Sequence, residues 1–168
     1  MGVIVGFLMR IATFPGVLLN IWVTILTCRL LGIKITKVDW RYFLIGMVVK
    51  IEPPENYLRL FALIIWPFIF MSIAALPFCY LAILEHIGLG MLFNLWLSIS
   101  IAANSFPEIT LGNILWKQSQ KEIKEKNYIA YLGFPMVILI YGMMLSKLLY
   151  IDILYGGFLF LMVDNICF

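Results

Sequence analysis

Four stretches of the chain contain no Asp, Glu, Lys or Arg, and no other feature restricts the possible folds as strongly. They cover residues 11–28, 60–84, 87–107 and 127–146, which is 18, 25, 21 and 20 residues. A helix needs about 20 mostly apolar residues to cross the roughly 30 Å of hydrocarbon in a bilayer. Each stretch therefore predicts a transmembrane helix.

The composition favours the same class of protein. Of 168 residues, 64% are hydrophobic and 12% are charged, whereas soluble domains have about 45–50% apolar and about 25% charged residues. A small domain has too much surface to hide such an excess in its core. The composition excludes a soluble enzyme and a nucleic-acid-binding chain. It predicts a single integral membrane domain over residues 1–168, with the lipid bilayer as its surroundings.

A fifth apolar stretch is shorter. Residues 153–163 are uncharged and lie between Asp152 and Asp164. Eleven residues are too few to cross a bilayer alone. The stretch is either interfacial or re-entrant, or it crosses the membrane with Asp152 inside it.

The positive charges predict how the chain is oriented in the membrane. Ten of the twelve Lys and Arg residues fall in the two segments 29–59 and 108–126, and the turn between the second and third stretches has none. Cytoplasmic loops of membrane proteins carry an excess of Lys and Arg. We therefore expect a multi-pass protein with the 29–59 and 108–126 loops in the cytoplasm.

The two loops differ in character. The first contains Val38–Ile51, VDWRYFLIGMVVKI, which is rich in aromatic and β-branched residues, has Gly46 near its centre and is followed by Pro53-Pro54. This pattern predicts a short membrane-associated β-hairpin between the first and second spans, in an otherwise all-α membrane protein of four or five helices. The second loop, KQSQKEIKEK, is polar and helix-compatible. It is either a solvated extension or a basic stripe that touches anionic lipid.

The first span resembles the opening motif of the site-2 protease family of intramembrane zinc metalloproteases, in particular its small archaeal and bacterial relatives. That motif is HExxH, followed at fixed offsets by Arg, Gly and Lys. Asn20, Ile21 and Thr24 stand where the family has the first His, the Glu and the second His. The family's later Arg, Gly and Lys are retained here as Arg29, Gly32 and Lys34.

The third span ends in a sequence similar to the family's second motif, NxxPxxxLDG. Asn104, Pro107 and Leu111 match its Asn, Pro and Leu, whereas Gly112 stands at the metal-binding Asp and Asn113 at the Gly. The family also places an apolar hairpin between the two motifs, which presents an edge strand to substrate. The resemblance covers roughly residues 14–146.

The substituted positions are the ones that carry the chemistry. A catalytic zinc needs three protein ligands, usually His, Cys or carboxylate, and a water, and the Glu of HExxH activates that water. Asn20 and Thr24 are poor zinc ligands, Ile21 cannot act as a base and Gly112 offers no ligand atom. We therefore predict no catalytic residues, no metal site and no cofactor. A zinc cofactor is expected only if the chain is an active protease.

The resemblance still implies a scaffold that accepts a peptide. The candidates for a remnant binding cleft are Asn20, Thr24, Asn104, Pro107 and Leu111. The alternative for the polar ones is interhelical hydrogen bonding, at about 0.6–2 kcal/mol per bond. The prediction is a non-catalytic site-2 protease-like protein that binds a transmembrane or extended-peptide partner. The alternatives are an active or ancestrally active intramembrane zinc metalloprotease, and a small structural or accessory membrane subunit.

Overall fold

The computed structural model describes residues 10–39, 49–85, 88–107, 109–148 and 151–167, and most of them are helical. The helices and strands follow one another as α1 (Phe14–Leu30), β1 (Ile35–Val38), β2 (Val49–Ile51), α2 (Tyr57–Leu84), α3 (Leu89–Ala103), α4 (Ile109–Lys124), a 3₁₀-helix (Tyr128–Leu132), α5 (Gly133–Leu148) and α6 (Ile151–Cys167).

The predicted hairpin is present in its two strands. β1 and β2 are antiparallel, with Ile35 opposite Ile51 and Val38 opposite Val49. β1 begins at Ile35, three residues before the predicted start, because Gly32 ends α1 in the left-handed conformation at φ 65°. The N–H of Ile33 then reaches back to the carbonyl of Cys28 at 2.8 Å and turns the chain into the strand. The predicted residues 40–48 lie outside the described residues.

The helices differ in length from the apolar stretches of the sequence. Among the described residues, one helix, Tyr57–Leu84, is both long and apolar enough to cross a membrane, with 28 residues. Phe14–Leu30, Leu89–Ala103 and Tyr128–Gly142 are apolar but shorter. The loop predicted at 108–126 contains a helix, α4, and the short stretch 153–163 lies inside the 17-residue α6.

The helix α2 joins two apolar cores. Its start is capped by Asn56, whose side chain accepts from the N–H of Leu58 at 2.9 Å. The first half of α2 packs with α4 and α5 in one core, which contains Leu60, Ile64, Leu111, Leu115, Val137 and Ile140. The second half packs with α1, α3 and α6 in the other, which contains Val23, Met71, Cys79, Ile101 and Leu159.

The hairpin lies against α1. Val49 of β2 is buried with Val17 and Ile21 of α1, and Ile33, just before β1, is buried with Cys28 and Leu63. The apolar side chains of the two described strands thus pack against helices. This packing places the hairpin next to the first helix, where the sequence resemblance locates the first motif.

Candidate functional site

The start of α1 is held by a neighbouring helix. Thr13 breaks the helical path before α1, and its own side chain makes no capping hydrogen bond. The N–H of Gly16 instead donates to Ser100 Oγ of α3 at 3.0 Å, and Ser100 Oγ donates to the carbonyl of Thr13 at 2.9 Å. One serine of α3 therefore accepts from an N–H that a helix start would otherwise leave unpaired. It also donates to the Thr13 carbonyl, which already accepts from the N–H of Val17 at 3.2 Å.

Two further side chains, of Trp96 in α3 and of Asn104 just after it, donate hydrogen bonds to the backbone just before α1. Trp96, Ser100 and Asn104 are four residues apart and therefore share one face of the helix. Trp96 Nε1 donates to the carbonyl of Ala12 at 2.7 Å. Asn104 Nδ2 donates to the carbonyls of Thr13 at 3.4 Å and Ser100 at 2.8 Å. This face of α3 therefore fixes the position of α1.

Polar contacts continue one turn further along α1. Asn20 Nδ2 donates to the main-chain oxygen of Asn104, and Thr24 Oγ1 donates to Asn20 Oδ1 at 3.1 Å. All three side chains are half-buried. The structure thus brings together three of the five predicted cleft residues. We call the whole set the α1–α3 seam, and it consists of Thr13, Gly16, Asn20, Thr24, Ser100 and Asn104.

The seam depends on a glycine that the sequence reasoning did not single out. A Cβ atom on Gly16 would lie 1.9 Å from the carbonyl oxygen of Ser100 and 2.5 Å from its carbon. The two helices therefore meet backbone to backbone at this point, as small residues allow in membrane helix pairs. No local pattern in the sequence marks Gly16, because the atoms it meets belong to Ser100, 84 positions later in the chain.

The position equivalent to the family's catalytic base is part of an apolar cluster. Ile21 is buried with Val17 beneath Val49 of the hairpin. It faces the hairpin, whereas its neighbour Asn20 bonds to α3. An apolar side chain suits this site, and a carboxylate there would lose its hydration without gaining a partner.

The residues of the second motif lie in two places. Asn104 is in the seam, and Pro107 is half-buried just before α4. Leu111 is buried in the core that α4 shares with α2 and α5. A Cβ on Gly112 would lie 2.9 Å from Ile140 Cγ2 of α5. Leu111 and Gly112 therefore face the α5 side of α4, in the apolar core.

The seam does not fit a zinc ion. Its polar side chains are two amides and three hydroxyls, and zinc sites are built from imidazole, thiolate and carboxylate. Within the described residues, no group of three or more His, Cys, Asp or Glu could hold a metal ion. Cys28 and Cys79 are buried free thiols, and Cys79 Sγ lies 2.7 Å from Ser98 Oγ.

A scan of protein-family models, a search of curated proteins and a search of solved structures each found no match to this chain.

Proposed function

We propose that the protein is a multi-pass integral membrane protein that binds a membrane partner without cleaving it. The observation that carries the membrane placement is the chemistry of the outward helix faces. Large apolar side chains are exposed on five helices, with exposed fractions of 59–69%. One example from each helix is Trp22, Ile73, Leu92, Ile138 and Phe158. Soluble monomers rarely expose apolar patches larger than a few hundred Å², whereas lipid requires such faces.

The crossings we propose are α1, α2, α3 and the segment from Tyr128 through α5. A helix shorter than the hydrocarbon is accommodated by local thinning of the bilayer or by flanking residues that reach the interface. The distribution of Lys and Arg supports cytoplasmic loops at 29–59 and 108–126. The 17-residue α6 adds a fifth crossing if Asp152 enters the membrane.

Cysteine labelling tests this topology. We expect Lys34→Cys and Lys121→Cys to react with a membrane-impermeant maleimide only after permeabilisation, since both positions are exposed in the proposed cytoplasmic loops. Gly88→Cys, in the turn before α3, should react in intact cells. The wild-type chain gives the background from native thiols. Labelling of Lys121→Cys in intact cells would refute the sidedness.

The binding role is supported by the hairpin beside the seam. A two-stranded sheet leaves one edge of each strand without a strand partner, and extended peptides bind such edges by main-chain hydrogen bonds. Thr36 of β1 is exposed, and its hydroxyl donates to the carbonyl of Lys50 at 3.1 Å. We propose that an extended segment of a membrane partner pairs with the hairpin edge next to α1.

Two measurements test the non-catalytic binding role. Metal analysis of the purified full-length protein should find no stoichiometric zinc, and one zinc per chain would overturn the proposal. A photo-crosslinking residue at Thr36 should give an adduct of one defined mass in native membranes. The matched control is Phe158, which is exposed on α6 and should contact lipid. Equal adducts at both positions would contradict a specific edge.

A structural or accessory subunit is the second candidate function. It is favoured by the seam itself, because Asn20, Thr24 and Asn104 bond to one another and to backbone atoms. For this function, alanine at Asn20 and Thr24 should lower stability and leave the Thr36 adduct unchanged. Loss of the adduct in a variant that remains folded would favour the cleft.

A further inference from the structure

The helix α4 separates apolar and cationic side chains onto opposite faces. Leu111, Leu115 and Ser119 are buried against α2 and α5. The exposed positions fall within about 100° of arc on the other side of the helix. They are Thr110, Asn113, Lys117, Gln120, Lys121 and Lys124. The outward face therefore carries three lysines and no acidic residue.

The acidic residues near this face do not neutralise it. The carboxylate of Glu122 accepts from Asn127 Nδ2 at 2.7 Å and lies on a half-buried side chain. Glu125 comes just after the helix, with Oε1 4.0 Å from Lys121 Nζ, and both side chains are exposed. Exposed ion pairs of this kind are weak and are screened by salt. The surface remains cationic.

A fourth lysine stands where a glycine would be expected. Lys126 follows α4 in the left-handed conformation, at φ 63°. Its N–H bonds to the carbonyl of Ile123 at 3.0 Å, and the next N–H, of Asn127, bonds to that of Glu122. Helices often end this way, usually with glycine in the left-handed position. The exposed Lys126 therefore adds charge at a position whose backbone favours a residue without a side chain.

Aromatic and apolar residues adjoin the lysines. The 3₁₀-helix that follows exposes Tyr128 (77%), Ile129, Tyr131 and Leu132, while its Ala130 is buried. Tyrosines of this kind concentrate at the headgroup level of membrane proteins, where the ring meets apolar chains and the hydroxyl meets water. Exposed cationic residues and exposed interfacial residues thus follow one another along the chain, on α4 and on the 3₁₀-helix after it.

We propose that this surface binds the headgroups of anionic phospholipids in the cytoplasmic leaflet. Its members are Lys117, Lys121, Lys124, Lys126, Tyr128 and Tyr131. Lysines near an anionic membrane surface are attracted to it, and tyrosine rings anchor the same segment at the interface. The inference rests on the membrane placement proposed above and adds the class of lipid that the protein selects.

Photo-labelling tests the inference with the full-length protein in vesicles. Headgroup-photoreactive phosphatidylglycerol and phosphatidylcholine are compared, and the ratio of labelling within residues 109–132 is measured by mass spectrometry. We expect the wild-type ratio to favour phosphatidylglycerol and to fall at 0.5 M salt. The reason is that the Debye length shortens from about 10 Å at 0.1 M ionic strength to about 3 Å at 1 M, so that salt screens the attraction. Each lysine removed should lower the ratio about fivefold.

Three variants make the test specific. K121Q/K124Q removes two charges from the surface and should lower the ratio. K126G removes one charge and relieves the left-handed backbone, so that its ratio should fall while its thermal stability rises. K34Q/K50Q removes two charges from exposed hairpin positions and should leave the ratio unchanged. An unchanged ratio in K121Q/K124Q, or an equal fall in K34Q/K50Q, would overturn the inference.

The membrane placement is tested separately from the lipid selectivity. Alkaline carbonate extraction followed by vesicle flotation reports whether the protein is embedded. A protein that is extracted contradicts the multi-pass proposal itself. A protein that stays embedded without preferring phosphatidylglycerol contradicts the lipid selectivity alone.

Discussion

Replacing Gly16 by alanine tests the backbone contact between α1 and α3. The added Cβ would lie 1.9 Å from the carbonyl oxygen of Ser100, whereas ordinary van der Waals contact begins at 3.4 Å. The atom it meets is main chain and cannot rotate away. The helices must therefore separate by about 1.5 Å at this point. A backbone shift forced by an added carbon in a tightly packed contact is destabilising.

The cost follows from what that separation breaks. Overpacking of a tight contact costs about 1–3 kcal/mol. The bonds from Gly16 N–H to Ser100 Oγ at 3.0 Å and from Trp96 Nε1 to Ala12 at 2.7 Å would both stretch beyond hydrogen-bond length, at about 0.6 kcal/mol each inside a membrane protein. The better helix propensity of alanine returns up to about 1 kcal/mol. We expect a net loss of about 1–4 kcal/mol in the free energy of unfolding.

The assay is reversible unfolding in mixed micelles, with Gly142→Ala as the matched control. A Cβ at Gly142, within α5, would meet nothing within 4 Å, so that this substitution should stabilise the protein by about 0.5–1 kcal/mol. The same chemical change should therefore act in opposite directions at the two positions. If Gly16→Ala is as stable as Gly142→Ala, the close contact of α1 and α3 is refuted.

Three further predictions concern the capping serine, the substituted motif and the end of α4. Ser100→Ala should lower the free energy of unfolding by about 1–3 kcal/mol, since it removes the partner of a buried N–H; a change equal to that of Thr110→Ala, at an exposed position, would contradict the cap. The family's residues are restored together in Asn20→His, Ile21→Glu, Thr24→His and Gly112→Asp. We expect this variant to bind no stoichiometric zinc and to unfold more readily, because position 21 lies beneath Val49 and a Cβ at position 112 meets Ile140 at 2.9 Å; one zinc per chain by elemental analysis would disprove this. Lys126→Gly should raise the unfolding free energy by about 1 kcal/mol in neutral lipid, because glycine adopts φ 63° without a Cβ penalty; an unaltered melting curve would show that the lysine is not strained.

Local sequence patterns predicted most elements but not where the apolar helices end. Aromatic and β-branched residues indicated the hairpin, and its strands formed. The third apolar stretch runs to Pro107, yet α3 ends at Ala103, where Asn104 and Ser105 turn their hydrogen bonds back onto the helix. The fourth begins as a 3₁₀-helix because the Asn127 side chain accepts from the N–H of Ile129. Neutral polar residues do not interrupt a charge-free stretch. The charge pattern therefore cannot predict where α3 ends or that the fourth stretch begins as a 3₁₀-helix.

The seam was predictable only in part, for a different reason. Asn20, Thr24 and Asn104 are polar residues in apolar spans, and such residues must find partners. The role of Gly16 is not predictable in this way, because it depends on Ser100, 84 positions later in the chain. A glycine in a helix gives no sign of which backbone approaches it. The partner becomes visible only when the packing of α3 on α1 is known.

The contacts that hold α1 on α3 and the surface proposed to hold lipid differ in their physics. The hydrogen bonds that link α1 and the residues before it to Trp96, Ser100 and Asn104 join neutral amide, hydroxyl, indole or carbonyl groups. Neutral pairs carry no net charge for salt to screen, whereas attraction between lysines and an anionic leaflet decays within a Debye length. Ionic strength should therefore weaken lipid selection at α4 and leave the α1–α3 packing intact. The scarcity of charge inside the apolar helices makes this separation possible, because the contacts between α1 and α3 do not depend on the lysines of the proposed lipid-binding surface.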